Sequence, residues 1–77
     1  MNERIIGKIA RLEQSILEAR ESREKTFATM QTALAHGASV IGFEEAATIA
    51  HSMNLIAGVN CVIDEMETQV AFLKSLS

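Results

Sequence analysis

Apolar residues recur at helical spacing through the first part of the chain. They are Ile5, Ile9, Leu12, Ile16 and Ala19, at intervals of four, three, four and three residues. This spacing keeps them on one side of an α-helix, which turns once every 3.6 residues. Asn2 stands just before the stripe, where a side-chain oxygen can cap the first turn. The pattern predicts a helix from Asn2 to about residue 36.

The apolar stripe changes register after Ala19. If the same spacing continued, the next positions would be Arg23 and Thr26. Apolar residues instead resume one position later, at Phe27, Met30 and Leu34. The charged stretch 18–25 indicates solvated surface between the two parts. We therefore expect the buried seam of the first helix to slip by one residue there.

Glycines mark the connection that follows. Gly37 is suited to end the first helix, since glycine readily adopts the left-handed conformation at this position, and we assign the turn to Gly37, Ala38 and Gly42. Gly42 or Ser39 could cap a second helix. The acidic pair Glu44–Glu45 would then lie in its first turn, where the helix dipole favours negative charge.

A second stripe runs along the rest of the chain at three-four spacing. Its members are Ile49, Ser52, Ile56, Val59, Ile63, Met66, Val70 and Leu73. Two helices of about 30–35 residues, each about 45–50 Å long and joined by a short loop, would pack along these stripes. We predict an all-α fold: one antiparallel helical hairpin, of coiled-coil character, forming a single domain over residues 1–77.

Composition supports helix and narrows the range of functions. Hydrophobic residues make up 48% of the chain and aromatic residues 4%, and the 77 residues include no proline. A formal net charge of −3 gives no attraction toward phosphates, so we expect no nucleic-acid partner. The single Cys61 cannot form an internal disulfide, and a signal peptide would need an apolar run near the charged N-terminus. We expect a cytoplasmic protein.

The residues that carry enzyme chemistry are not grouped in any familiar pattern. His36 and His51 lie fifteen residues apart without cysteine or acidic neighbours at ligand spacing. Acidic residues occur in pairs that suit helix surfaces, and no glycine-rich phosphate loop is present. We expect no catalytic site, no cofactor and no metal.

The stretch from Ala46 to Ile63 contains no Asp, Glu, Lys or Arg. One partner helix cannot cover the whole circumference of such a segment, and exposed apolar patches of this size usually mark interfaces. The candidate partner-binding residues lie off the seam. They are Met53, Leu55, Gly58, Val62 and Phe72.

Two other interpretations of this stretch remain open. The residues could belong to the hairpin's own core, covered by a third segment. Alternatively the helix could span a membrane, because eighteen uncharged residues approach the minimum length for a bilayer. The polar residues Thr48, His51, Ser52, Asn54 and Asn60 would each need a partner in lipid, so we predict no membrane span.

Three short runs resemble a known family. ALAHGAS at 33–39, FEE at 43–45 and NLIAGVNCVIDEM at 54–66 are similar to the small co-chaperones of type III secretion needle subunits, the YscE-like family. RLEQSILEAR at 11–20 also looks like the first helix of these proteins. The resemblance spans roughly residues 11–66.

The resemblance implies a function in protein transport and virulence. Such a hairpin joins a tetratricopeptide-repeat chaperone, and the pair keeps the needle subunit monomeric in the cytoplasm before export. By resemblance, the turn residues Gly37 and Ala38 and the run 56–59 would correspond to family positions. A needle subunit itself is disfavoured, because its turn contains a proline that this sequence lacks.

A homodimer is the competing hypothesis. Two hairpins could bury the same apolar faces as a four-helix bundle, as in small regulatory proteins of phage or plasmid type. Arg4, Lys8 and Arg11 would then form a basic end. The net charge argues against nucleic-acid binding by such a bundle, and we expect the chain to form homo-oligomers when alone.

Overall fold

Two long helices account for nearly all of the described chain. The computed structural model describes residues 2–35 and 41–76, with α1 at Glu3–Ala35 and α2 at Phe43–Ser75, each 33 residues long. The helices pack along their length, and the molecule measures 58 Å along its longest axis. The predicted all-α helical hairpin is confirmed.

Asn2 caps α1 as predicted. Its Oδ1 accepts a hydrogen bond from the backbone N–H of Arg4 at 2.9 Å. Its carbonyl oxygen accepts from the N–H groups of Ile5 and Ile6 at 3.0 and 3.1 Å. Backbone donors at a helix start have no partner within the helix, so these contacts stabilise the first turn.

Gly42 occupies the cap position of α2. Its backbone is extended, with φ −76° and ψ 173°, and its carbonyl oxygen accepts from the N–H of Ala46 at 2.9 Å. Gly42 has no side chain to bond the free N–H groups, so the acidic pair Glu44–Glu45 supplies the favourable interaction with the helix dipole. The predicted turn residues Gly37 and Ala38, and Ser39, lie outside the described residues.

The core is a single narrow seam between the helices. Its buried hydrophobic residues are Ile9, Ile16, Ile63 and Val70. Partly buried residues extend it in both directions: Ile5, Leu12, Ala19, Val59, Met66 and Leu73. Ser52 is also buried, at 4% exposure. The predicted seam of α2 is therefore confirmed, but none of the described side chains in this core is fully removed from water.

The predicted slip in the seam of α1 is wrong. Phe27 is 46% exposed and Leu34 is 53% exposed, whereas Arg23 and Thr26 lie half-buried at the helix interface. The original register persists because both polar residues find hydrogen-bond partners within it. Arg23 Nη1 donates to Asn60 Oδ1 at 2.7 Å, and Thr26 Oγ1 donates to the Ser22 carbonyl at 3.0 Å. A slip would require local over- or underwinding of the helix.

Replacing Ile63 with Ala should destabilise the hairpin by about 2–4 kcal/mol, because a buried side chain is lost from a core with few others. The adjacent Val62→Ala, at a half-exposed position, should cost less than about 0.5 kcal/mol. Urea denaturation followed by circular dichroism measures both. Equal losses would contradict the assignment of the seam.

The register of α1 can be tested separately with Met30→Asp and Phe27→Asp. Asp at the half-buried Met30 would place a charge in the seam and should lower the melting temperature sharply. Asp at the exposed Phe27 should leave the melting temperature nearly unchanged. Comparable losses in both variants would restore the predicted slip, which placed Phe27 and Met30 together in the seam.

Candidate protein-interaction surface

Most of α2 faces solvent although its stretch from Ala46 to Ile63 carries no Asp, Glu, Lys or Arg. Only Ser52, Ile63 and Val70 are buried in this helix. All five candidate partner-binding residues are exposed, from Leu55 at 45% to Phe72 at 62% for the large side chains. A soluble helix usually exposes charged residues instead. α2 therefore presents far more apolar surface than α1 covers.

Polar contacts cross between the helices on one side of the seam. Arg20 Nη2 contacts Glu67 Oε1 at 2.7 Å, and Lys74 Nζ lies 3.8 Å from Glu13 Oε1. Asn60, Glu67 and Lys74 are spaced by seven residues, each one position after a seam residue. We call this side, with Glu13, Arg20 and Phe27 on α1 and Met53, Asn60, Glu67 and Lys74 on α2, the bridged flank.

The ion pairs of the bridged flank fix orientation more than stability. Each of the four side chains is about half exposed. Water screens such pairs, and each contributes about 0–1 kcal/mol. Their value lies in specificity, because the opposite charges meet only when the helices hold this antiparallel register.

The other side of the seam is apolar on α2. Leu55, Val62 and Gln69 each precede a seam residue by one position, and within residues 2–35 and 41–76 no polar side-chain contact links the helices there. A shallow depression of about 380 Å³ opens on this side. It is lined by Ala19, Asn54, Leu55, Gly58, Val59 and Val62. We call this side, centred on Leu55, Gly58 and Val62, the open flank.

The open flank continues toward the chain termini into a second depression of about 410 Å³. Its lining residues are Lys8, Arg11, Leu12, Ser15, Gln69, Phe72 and Leu73. Lys8 and Arg11 stand at its rim, and neither forms an ion pair within the described part of the chain. An apolar side chain from a partner could enter here while an acidic group meets the two cations.

The structure brings together four of the five candidate residues. Leu55, Gly58, Val62 and Phe72 all lie along the open flank. Met53 lies on the bridged flank, because it precedes Asn60 by seven residues and shares its side of α2. A single flat partner surface could contact the first four together but not Met53.

Sequence reasoning missed parts of both flanks. Phe27 and Leu34 were assigned to the seam, yet they are exposed on the side that also carries Met53. Ala19, Lys8 and Arg11 were not included in the candidate surface although they line the open flank. The seven-residue spacing of Glu13 with Arg20, and of Glu67 with Lys74, could have identified the bridged flank in advance.

Two further chemical properties of the surface bear on function. Within the described residues, no group of three His, Cys, Asp or Glu side chains could hold a metal ion. By length and composition alone, α2 is apolar enough to cross a membrane. Exposed helices that dock into other proteins can share that composition.

No family model, no curated protein and no solved structure matches this chain in the comparisons.

A double-mutant cycle on Arg20 and Glu67 should give a coupling energy of about 0.2–1 kcal/mol, because the pair is half exposed. The coupling should shrink as salt concentration rises. Thermal denaturation of Arg20→Ala, Glu67→Ala and the double variant measures it. A coupling above about 2 kcal/mol would show that the bridged flank determines the stability of the hairpin.

Proposed function

We propose that this chain is a protein-binding subunit without chemistry of its own, acting as a small cytoplasmic co-chaperone. It would pair with a tetratricopeptide-repeat chaperone and help to keep a type III secretion needle subunit monomeric before export. The observation that supports this proposal is the open flank, an uncharged and exposed strip along α2.

The thin core supports an obligate partner. Four buried hydrophobic side chains hold together two helices of 33 residues each. Small domains bury a low fraction of their surface and are often marginal on their own. A partner that covers Leu55 and Val62 would stabilise the folded hairpin in proportion to its affinity and concentration.

A helical groove suits this surface better than a bilayer does. Helical repeats build concave surfaces that accept an amphipathic helix through apolar positions one and two turns apart. In lipid, the exposed His51, Asn54 and Asn60 would each lose their hydrogen bonds to water. The ion pairs to Arg20 and Glu13 also tie the second half of α2 to a charged helix, which a bilayer would exclude.

The identity of the partner rests on the resemblance of the sequence to the YscE-like family. The resembling run at 54–66 includes Leu55, Gly58 and Val62, which are also the centre of the open flank. The run at 33–39 falls mostly outside the described residues. The proposal thus joins an exposed surface to a family whose members bind a repeat chaperone.

Co-expression with the repeat chaperone and needle subunit of the same secretion system tests the proposal. The double variant Leu55→Ala and Val62→Ala should weaken binding by at least about 30-fold, since each contact at an interface centre contributes about 1–3 kcal/mol. Its helical signal should persist, because both residues lie outside the seam.

The matched control is the double variant Phe27→Ala and Met53→Ala on the bridged flank. These two side chains have similar exposure to Leu55 and Val62, and we expect full binding after their removal. Loss of binding only in the control would show that the partner binds the bridged flank instead of the open flank. Absence of any complex with the wild-type chain would refute the proposed function.

A further inference from the structure

We propose that the open flank of α2 also pairs with the same flank of a second copy, with the two α2 helices antiparallel and crossing at Gly58. This inference concerns the chain alone and does not require the chaperone. It starts from the order of the exposed residues on either side of Gly58, which is self-complementary.

Apolar residues face apolar residues in this arrangement. Leu55 and Val62 lie about equally far from the centre, three and four residues away, so a two-fold axis brings Leu55 of each copy against Val62 of the other. The next residues along the same row are Thr48 and Gln69, which also meet each other. Antiparallel helices crossing at about 20° keep such pairs in contact over several turns.

Complementary hydrogen-bonding groups meet on the neighbouring row. His51 and Glu65 are each seven residues from Gly58, so the imidazole N–H of one copy can donate to the carboxylate of the other. Farther out, Glu44 and Phe72 each lie fourteen residues from Gly58, so Glu44 of one copy meets Phe72 of the other. Arg11 lines the same depression as Phe72, which sets its guanidinium near that Glu44 carboxylate. A parallel pairing would instead set each Glu65 against the other Glu65, which is repulsive.

Gly58 permits the helices to approach closely at the crossing. A Cβ atom added there would meet no atom within 4 Å, so the hairpin's own packing does not require glycine. Glycine inside a helix is less favourable than alanine. A backbone that carries no side chain at the centre lets the Leu55 and Val62 pairs on both sides reach each other.

Self-pairing would cover the surface that the proposed function assigns to a partner protein. The two states are therefore mutually exclusive, and binding of a partner would release the second copy. In this view the dimer shields the apolar flank from nonspecific association until a partner arrives.

The test compares Gly58→Leu with Gly7→Leu in the full-length chain. Both glycines are helical, and a Cβ atom meets nothing within 4 Å at either position, so neither variant should lose helix. Sedimentation equilibrium over a wide concentration series should show a wild-type dimer. Gly58→Leu should weaken dimerisation at least about tenfold, and Gly7→Leu should leave the dissociation constant unchanged.

A charge exchange tests the register directly. His51→Glu should weaken the dimer because it faces Glu65, and adding Glu65→Lys to the same chain should restore it. A wild-type chain that stays monomeric at every concentration overturns the inference, as does a dimer that Gly58→Leu leaves intact. The proposed function fails only in the co-expression experiment, so the two failures are distinguishable.

Discussion

The seven-residue register of the α1–α2 seam is the constraint on which the other features depend. The seam holds Ile9 and Ile16 against Ile63 and Val70, and the same spacing continues through the polar Arg23. Once this register is fixed, the residues that directly follow Val59, Met66 and Leu73 lie on the bridged flank. Those that directly precede Ile56, Ile63 and Val70 lie on the open flank. The chemical asymmetry of the molecule follows from this register.

The two flanks differ in chemistry, and we propose that one orients the helices while the other serves recognition. On the bridged flank, Arg20 and Glu67 meet at 2.7 Å and favour one antiparallel alignment of the helices. On the open flank, Leu55 and Val62 remain half exposed with no such partners. A hairpin with charges on both flanks would be more soluble alone but would offer no apolar surface to another helix.

Periodicity predicted the fold well because a helix repeats every 3.6 residues regardless of its neighbours. The α2 seam and the Asn2 cap were recovered for this reason. The course of the α1 seam was not recovered. The pattern within one helix assigns Phe27 to the seam because it is hydrophobic, and it contains no information that Arg23 donates a hydrogen bond to Asn60 on the other helix. Met53 lies on the other flank from Leu55, Val62 and Phe72, and this division depends on the pairing of both helices, which the sequence of one helix does not contain.

The open flank is exposed in the monomeric hairpin, and we propose that a protein partner covers it when the chain is at work. Methyl NMR with a soluble paramagnetic agent measures this directly at Leu55 and Val62, with Ile63 and Ile16 as buried references. We expect strong relaxation at Leu55 and Val62 in the dilute free chain, weak relaxation at both references, and loss of the difference when the partner binds. Relaxation at Leu55 and Val62 that stays strong in the complex would contradict the account.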